Sequence, residues 1–322
     1  MDIKQTIRRQ NLEDIEQQAH KIAGMMDRIR SAMLAPTAVK SAPTLKAVQL
    51  ADLCGVDKSK ISYRLTRGDL PAGEIHGNSR EWSMAEAQSW ARELRAEHLR
   101  PEGAAGITIT VANFKGGVAK TTSAVTLAQG LSMRGHRVLL VDLDPQGSAT
   151  TLFGVLPDAE VETEHTAMSL FTGDQENLQY AVRPTYWPNI DLVCAAPLLY
   201  GAEFHLPARQ ARDPGFEFWR VLDRGLDLPR EEYDVIVIDT PPSLSYVTIN
   251  ALMAADGVIM PLPPSALDFA SSAQFWDLFS DLCNQLVRSR GKDKSFEFID
   301  VLLSRVEASD TASSVVRQWV LE

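Results

Sequence analysis

The sequence predicts an α/β protein. A mostly parallel sheet flanked by helices is preceded by a long N-terminal helix and a small helix–turn–helix unit with a hairpin. Three observations carry this reading. From residue 107 onward, six short apolar runs alternate with helical patterns. A glycine-rich turn joins the first of these runs to a helix with one apolar face. Near the N-terminus, Leu12, Ile15, Ala19, Ile22, Met26, Ile29 and Met33 recur at alternating spacings of three and four.

The long helix is expected over residues 1–35, with Pro36 as its stop. Its unbroken heptad seam suits either a dimerising coiled coil or a stripe that packs on its own protein. Residues 36–44 form a linker by composition, a compact unit follows to about residue 100, and Pro101-Glu-Gly-Ala-Ala-Gly106 forms a second linker. The expected domains are 1–43, 44–104 and 105–322. The six runs are Ile107–Ala112, Val138–Asp142, Ile190–Cys194, Val235–Asp239, Val258–Leu262 and Phe298–Leu303. Most are near-continuous in Val, Ile and Leu, as strands covered by helices on both faces are. The final residues, Val315 to Glu322, are helical in character without a Gly or Pro stop, so the fold is expected to continue past this end.

Length and composition exclude several classes. The chain has 322 residues, 45% hydrophobic and 23% charged, the profile of a globular protein with a sizeable core. No run approaches the ~18 apolar residues of a spanning helix, and Met1-Asp2-Ile3-Lys4 does not open a signal peptide. Cys54, Cys194 and Cys283 are odd in number and far apart, with no C-x-x-C pair. They suit a reduced cytoplasm and speak against a disulfide scaffold, a zinc site or an iron–sulfur site. The net charge of −10 is uneven: residues 1–100 carry 16 Lys+Arg against 13 Asp+Glu, and the remainder 16 against 29. An acidic total speaks against a uniformly basic nucleic-acid coat but leaves room for a basic patch on the first third.

The strongest chemical signal is Lys115-Gly116-Gly117-Val118-Ala119-Lys120-Thr121-Thr122, set between an expected strand and an expected helix ending near Gly135. Glycines let backbone N–H groups turn around phosphate oxygens, and the helix N-terminus adds partial positive charge. Lys120 is placed to contact β- and γ-phosphates and Thr121 to put its hydroxyl on Mg²⁺. Phe114 and Ala119 occupy the two glycine positions of a strict G-x-x-x-x-G-K-[ST] pattern. Two carboxylate motifs follow. Val138-Leu-Leu-Val-Asp142-Leu-Asp144-Pro145 places Asp142 and Asp144 two apart, so that on a strand ended by Pro145 they project to the same side near its carboxyl end. Tyr233-Asp-Val-Ile-Val-Ile-Asp239 ends an apolar strand in a single carboxylate suited to hold Mg²⁺ through water.

These motifs, in this order, resemble the deviant phosphate loop and its partner motifs in the ParA/MinD ATPases. The resemblance covers roughly residues 107–306. It implies ATP and ADP as ligands, with Lys115 reaching across a nucleotide-sandwich homodimer to the partner's ATP. It also implies that Asp144 positions or activates the attacking water, with Asp142 a support near the metal. Cofactor contacts fall on residues 115–122, metal contacts on Thr121, Asp239 and Asp142, and catalysis on Lys115, Lys120 and Asp144. Ala119 in place of glycine puts the local backbone conformation in question.

Residues 46–70 read as a helix-turn-helix, with Ala51, Gly55 and Ile61 at its small, turn and core positions and Asp57 as the N-cap of the second helix. That helix carries Lys58, Ser59, Lys60, Ser62, Tyr63 and Arg64, candidates for DNA contact. A hairpin around Gly77-Asn78-Ser79 and a capping box Ser83-Met-Ala-Glu86 follow. The unit resembles the winged helix-turn-helix of MerR-type regulators and of the large ParA partition proteins. A second basic cluster, Arg288, Arg290, Lys292 and Lys294, is either a solvated loop or an aid to sequence-independent DNA binding.

The ParA resemblance implies non-specific DNA binding in the ATP state and stimulation of slow hydrolysis by a ParB-type partner. It further implies repression of an operator through the helix-turn-helix, and a cytoplasmic, nucleoid-associated location. A MinD-like membrane-cycling ATPase and a nucleotide-responsive repressor with little hydrolysis are the rival readings, and no membrane contact is expected.

Overall fold

A computed structural model describes residues 11–33 and 40–307, together with Val315, Val316, Gln318 and Val320. The side chains of Ala23, Met26, Asp27 and residues 29–33 lie outside the described set. The chain divides into two compact units, residues 1–40 and 41–322.

The first unit is helix α1, Leu12–Met33. Asn11 and Asp14 cap it reciprocally: Asp14 N donates to Asn11 Oδ1 and Asn11 N to Asp14 Oδ2, both at 2.9 Å. Of the expected seam, Leu12, Ile15, Ala19 and Ile22 are exposed. Met26, Ile29 and Met33 fall among the side chains outside the described set, as do Pro36 and most of the first linker.

The second unit opens with β1 (Leu45–Lys46), α2 (Ala47–Cys54), α3 (Lys58–Arg67), β2 (Glu74–His76), β3 (Ser79–Trp82) and α4 (Met84–Leu94). Gly55, at φ 67°, closes α2 in the left-handed conformation that only glycine adopts cheaply, and so turns the chain into α3. Ala51 and Ile61 are buried between the helices. The strands form an antiparallel sheet in the order β1–β3–β2, and β1 was not legible in the sequence. Ser83 and Glu86 form the expected capping box. Asp57 occupies the N-cap of α3 with extended backbone, but its side chain makes no capping hydrogen bond, contrary to expectation. The indoles of Trp82 and Trp90 both donate to Pro71 O, at 3.0 and 2.9 Å, and their rings meet edge to face.

The large sheet follows. Its elements are β4 (Ile107–Val111), α5 (Lys120–Met133), β5 (Val138–Asp142), α6 (Ser148–Leu152), α7 (Met168–Thr172), β6 (Arg183–Pro184) and β7 (Ile190–Val193). Then come α8 (Ala202–Arg212), α9 (Val221–Gly225), α10 (Asp227–Glu232), β8 (Val235–Asp239), α11 (Tyr246–Ala254), β9 (Gly257–Leu262), α12 (Ala266–Leu286) and β10 (Phe298–Leu303). Among the described residues the order is β10–β9–β4–β8–β5–β7–β6, parallel except for the short β6 at one edge. All six apolar runs are strands, and every residue of β5 and β8 is buried, as strands covered on both faces should be.

The small unit is fastened to the sheet by polar contacts to backbone oxygens. Gln88 Nε2 donates to Pro188 O, Arg92 Nη1 to Gly135 O, and Arg100 to the carbonyls of Arg230, Glu231 and Tyr233. Trp90, fully buried, belongs to an apolar cluster that runs from Leu50 through Ala128 of α5 to Val237 of β8. Trp90→Ala is expected to remove about 3–5 kcal/mol of stability, measured by denaturant unfolding. A loss below 1 kcal/mol would show that the cluster does not bind the two parts together.

Candidate nucleotide site

The phosphate site is assembled by strand register. β4, β8 and β5 are adjacent and parallel, and their last residues stand in one row: Val111 pairs with Asp239, and Asp239 with Asp142. The loop 112–119 leaves the carboxyl end of β4, and ligands of such sheets bind at this edge. Gly117 (φ 74°) and Ala119 (φ 70°) are both left-handed. Ala119 adopts the conformation of the glycine it replaces, at a cost of about 1–2 kcal/mol. The departure from the strict motif therefore leaves the backbone path intact. The loop opens into α5 at Lys120. A cavity of about 860 Å³ is lined by Gly116, Gly117, Ala119, Lys120, Thr121 and Thr122 on one side and by Asp144 on the other. Val118 turns its side chain into the core and offers the cavity only backbone.

Both cations of the loop bond to groups of the protein itself. Lys120 is buried, and its Nζ donates to Lys115 O at 2.9 Å. Burial pushes its pKa down, against the pull of Asp239 and Asp144. Lys115 points elsewhere, with its Nζ 2.5 Å from Asp268 Oδ1 at the start of α12. Burial raises the Asp268 carboxyl, but Lys115 and Ser265 together hold it below the usual carboxylate range. Asn113 fixes the loop's root: its Oδ1 accepts from Lys115 N, and its Nδ2 donates to Pro261 O of β9.

The carboxylates take three different roles. Asp239 is fully buried, and neither of its oxygens has a hydrogen-bond partner among the described residues. An orphaned buried carboxylate is costly, and beside the Thr121 and Lys120 end of the cradle it fits a divalent cation held partly through water. Asp142 does not. Its Oδ2 accepts from Thr150 N and Oγ1 at 2.8 and 2.7 Å, and its Oδ1 accepts from Asp144 N at 3.2 Å. With both oxygens engaged and no access to the cavity, it anchors the chain after β5 and is no metal ligand. The expectation that Asp142 and Asp144 share a side fails because β5 ends at Asp142: the chain turns, Leu143 enters the core, and Asp144 reaches the cavity.

Sequence reasoning missed Asp268 and Asn113. The pair Ser265-x-x-Asp268, in which Ser265 Oγ accepts from Asp268 N, is a helix-start pattern that marks the position but not its link to Lys115.

On the small unit, Ser59, Lys60 and Tyr63 of α3 line an open groove of about 820 Å³ with Asp52, Gly55 and Asp57. Lys58 and Ser62 are exposed beside it. Arg64 is different: its Nη2 lies 2.9 Å from Glu93 of α4 and 3.1 Å from Asp69, and little of its side chain is exposed. It ties α3 to α4, and its charge is already met. The second basic cluster is likewise engaged. Arg290 stacks on Trp219, Lys292 pairs with Glu217, and Lys294 lies over Phe296 with its pKa lowered by burial. Only Arg288, bonded weakly to Asn284, retains much free charge.

A family profile described as an AAA domain, AAA_31, matches residues 106–289. The chain belongs to this family. A putative replication protein A of Sinorhizobium fredii is 31% identical, over 85% of this chain and 70% of its own length. Protein SopA of Escherichia coli K12 is 35% identical, over 77% of this chain and 66% of that protein. The chromosome partitioning protein ParA of Myxococcus xanthus is 40% identical over 49% and 52%. The chain thus spans between half and seven-tenths of the length of these relatives. Among solved structures, cobyrinic acid a,c-diamide synthase from Mycobacterium smegmatis with bound ADP and magnesium is similar at a TM-score of 0.56 and 34% identity. That likeness covers 67% of this chain and 81% of the other. This ParA/MinD-type ATPase has an α/β fold with a mostly parallel central sheet flanked by helices.

The Asp142–Asp239 pair sets a pH dependence. Burial raises Asp142 to about 7 and Asp239 well above the usual range; Asp144 raises the first further and Asp142 the second, against the lowering pull of Thr150 on Asp142 and of Thr121 and Lys120 on Asp239. The folded protein therefore binds protons that the unfolded chain releases above about pH 4. Its stability should fall as pH rises from about 4 to 7. Thermal unfolding of the protein across that range should show this fall, and Asp142→Asn should make it shallower without abolishing it, because burial alone keeps Asp239 raised. A wild-type slope no different from that of the variant would contradict the assignment.

Proposed function

We propose that the chain is a ParA-type DNA-partition ATPase that binds Mg-ATP between residues 115–122, Asp144 and Asp239 and contacts DNA through α3. A single observation carries this: one compact unit, residues 41–322, holds both the phosphate cradle and an exposed helix bearing Lys58, Ser59, Lys60 and Tyr63. A nucleotide site alone would suit many enzymes. A cationic helix built into the same unit suits one whose nucleotide state is read by DNA. The sequence match to the relatives extends over enough of the chain to reach into the small unit.

In this reading the backbone N–H groups of 116–122 and the N-terminus of α5 receive the phosphates. Lys120 exchanges Lys115 O for the β- and γ-phosphate oxygens. Thr121 and Asp239 hold Mg²⁺, which neutralises phosphate charge. Asp144, half exposed and held by Gln146 N at 3.0 Å, orients the attacking water. The nucleoside extends into an adjoining apolar cavity of about 780 Å³, which shares Ala119, Thr122 and Arg305 with the phosphate cavity. Lys115 leaves Asp268 to reach the nucleotide of a second copy, so that ATP drives a homodimer. That dimer binds DNA without sequence preference on the nucleoid, and a ParB-type partner stimulates its hydrolysis. The exposed Leu12, Ile15 and Ile22 of α1 suit a second contact between copies, and α3 suits operator binding and autoregulation.

The deciding experiment is electrophoretic mobility of operator and random duplexes without nucleotide, with ADP and with ATP. Nucleotide-dependent shifts of both duplexes are expected, and a protein indifferent to nucleotide on both would refute the reading. Asp144→Ala should keep ATP binding and lose hydrolysis, measured as phosphate release; full activity in the variant would remove Asp144 from its role. Lys60→Ala should weaken operator binding about tenfold or less while sparing ATPase activity, and should lower the salt dependence by about one phosphate contact. An unchanged salt slope would place the duplex elsewhere.

A further inference from the structure

The turn that ends β10 brings two consecutive side chains onto the phosphate loop. Neighbours on a regular strand point to opposite faces, so Ser304 and Arg305 would ordinarily diverge. Arg305 instead has φ 53°, a left-handed conformation rare outside glycine, and both side chains reach the loop. The buried Ser304 Oγ donates to Val118 O at 2.9 Å, and Arg305 Nη1 donates to Gly117 O at 3.0 Å. Arg305 is exposed and lines the phosphate cavity. Strained backbone of this kind persists where surrounding contacts over-determine it, and it gathers at functional sites.

Gly117 O and Val118 O belong to the two peptides whose N–H groups sit on Val118 and Ala119. A trans peptide is planar, with its C=O and N–H pointing in opposite directions, so fixing the two oxygens fixes the two N–H vectors. The same stretch contains both left-handed residues of the loop, Gly117 and Ala119. A loop with two such residues in three has alternatives to its cradle geometry. The β10 contacts select one of them before any ligand arrives.

We propose that Ser304 and Arg305 are positioning residues for the nucleotide: a two-point clamp that holds the 117–119 peptides ready for the phosphates common to ATP and ADP. This rests on the reading of residues 115–122 as the phosphate site. Arg305 also lines the adjoining cavity of about 780 Å³, but its Nη1 is held on Gly117 O. A clamp that acts through the loop serves ATP and ADP alike and governs affinity rather than turnover.

The test uses the full chain and the variants Arg305→Ala, Arg305→Lys and Ser304→Ala. Titration calorimetry gives affinities for Mg-ATP, Mg-ADP and Mg-GTP, phosphate release gives kcat and KM, and hydrogen exchange follows the amides of 116–120 in nucleotide-free protein. Arg305→Ala is expected to weaken ATP and ADP binding equally, by about tenfold. KM should rise, kcat should stay within about twofold, and the loop amides should exchange faster. Arg305→Lys, which keeps a donor, should recover part of the affinity. Ser304→Ala should act in the same direction even if Arg305→Ala proves unstable. Wild-type affinities in the variants would overturn the clamp. A loss confined to ATP would also overturn it, making Arg305 a γ-phosphate contact, and so would an altered preference between ATP and GTP, making it a base contact. Failure of the wild-type chain to bind any nucleotide would instead overturn the phosphate-site reading, and the clamp with it.

Discussion

Two carboxylates, Asp142 and Asp239, are buried side by side at the ends of adjacent strands, and the site is organised around that unfavourable placement. The register of β5 against β8 leaves no choice, because the residues are directly paired and both strands are buried throughout. Burying one ionised carboxylate is expensive, and burying two in contact is more so. The chain resolves half of the problem internally by giving Asp142 three donors from Thr150 and Asp144. It leaves Asp239 unresolved. The unresolved half lies next to Thr121 and Lys120, where a cation accompanied by phosphates would relieve it. Burial also raises the pKa of Asp239 well above the usual range, so that a proton and a cation would compete for the same carboxylate.

The cations show the complementary pattern. Lys120 rests on a carbonyl of its own loop and Lys115 on Asp268. Neither is the strongest partner available to an ammonium group: a neutral carbonyl is weaker than a phosphate oxygen, and the Lys115–Asp268 pair is partly open to solvent, where ion pairs contribute little. Both lysines are therefore held in place yet easily exchanged. Asp268 also ties the state of Lys115 to α12, because the same carboxyl bonds Ser265 at that helix's N-terminus.

Much of this was legible in the sequence because the strongest signals are local. The six strands announce themselves as apolar runs, and the cradle as a glycine-rich turn between strand and helix. The Ser83 capping box and the turns at Gly55 and Gly77 follow from residue types that few other conformations favour. What was not legible depends on where a strand stops or on contacts distant in the chain. Asp142 and Asp144 looked equivalent two residues apart, and only the end of β5 at Asp142 separates core from cavity. Arg64, Arg290, Lys292 and Lys294 looked like free charge, but Glu93, Trp219, Glu217 and Phe296 reach them from other elements. The two-residue strand β1 is too short to carry a pattern, and Asp268 and Arg305 meet the phosphate loop from more than 140 residues away along the chain.

Helix α5 connects these observations. Its N-terminus carries Lys120 and Thr121 into the cradle, and its C-terminal turn meets α4, whose Arg92 bonds Gly135 O just beyond the helix. Arg64 in turn locks α4 to α3 through Glu93. A helix is stiff along its axis, and the apolar cluster between α4 and α5 is close-packed, so the two ends of α5 cannot shift independently. Displacement of Lys120 and its loop on binding phosphate would bear on the base of α4 and, through the Arg64 ion pairs, on the exposed face of α3. The charge of Arg64 is therefore spent on orientation: paired with Asp69 and Glu93, it fixes the whole of α3, with its exposed Lys58, Ser59, Lys60 and Tyr63, against α4.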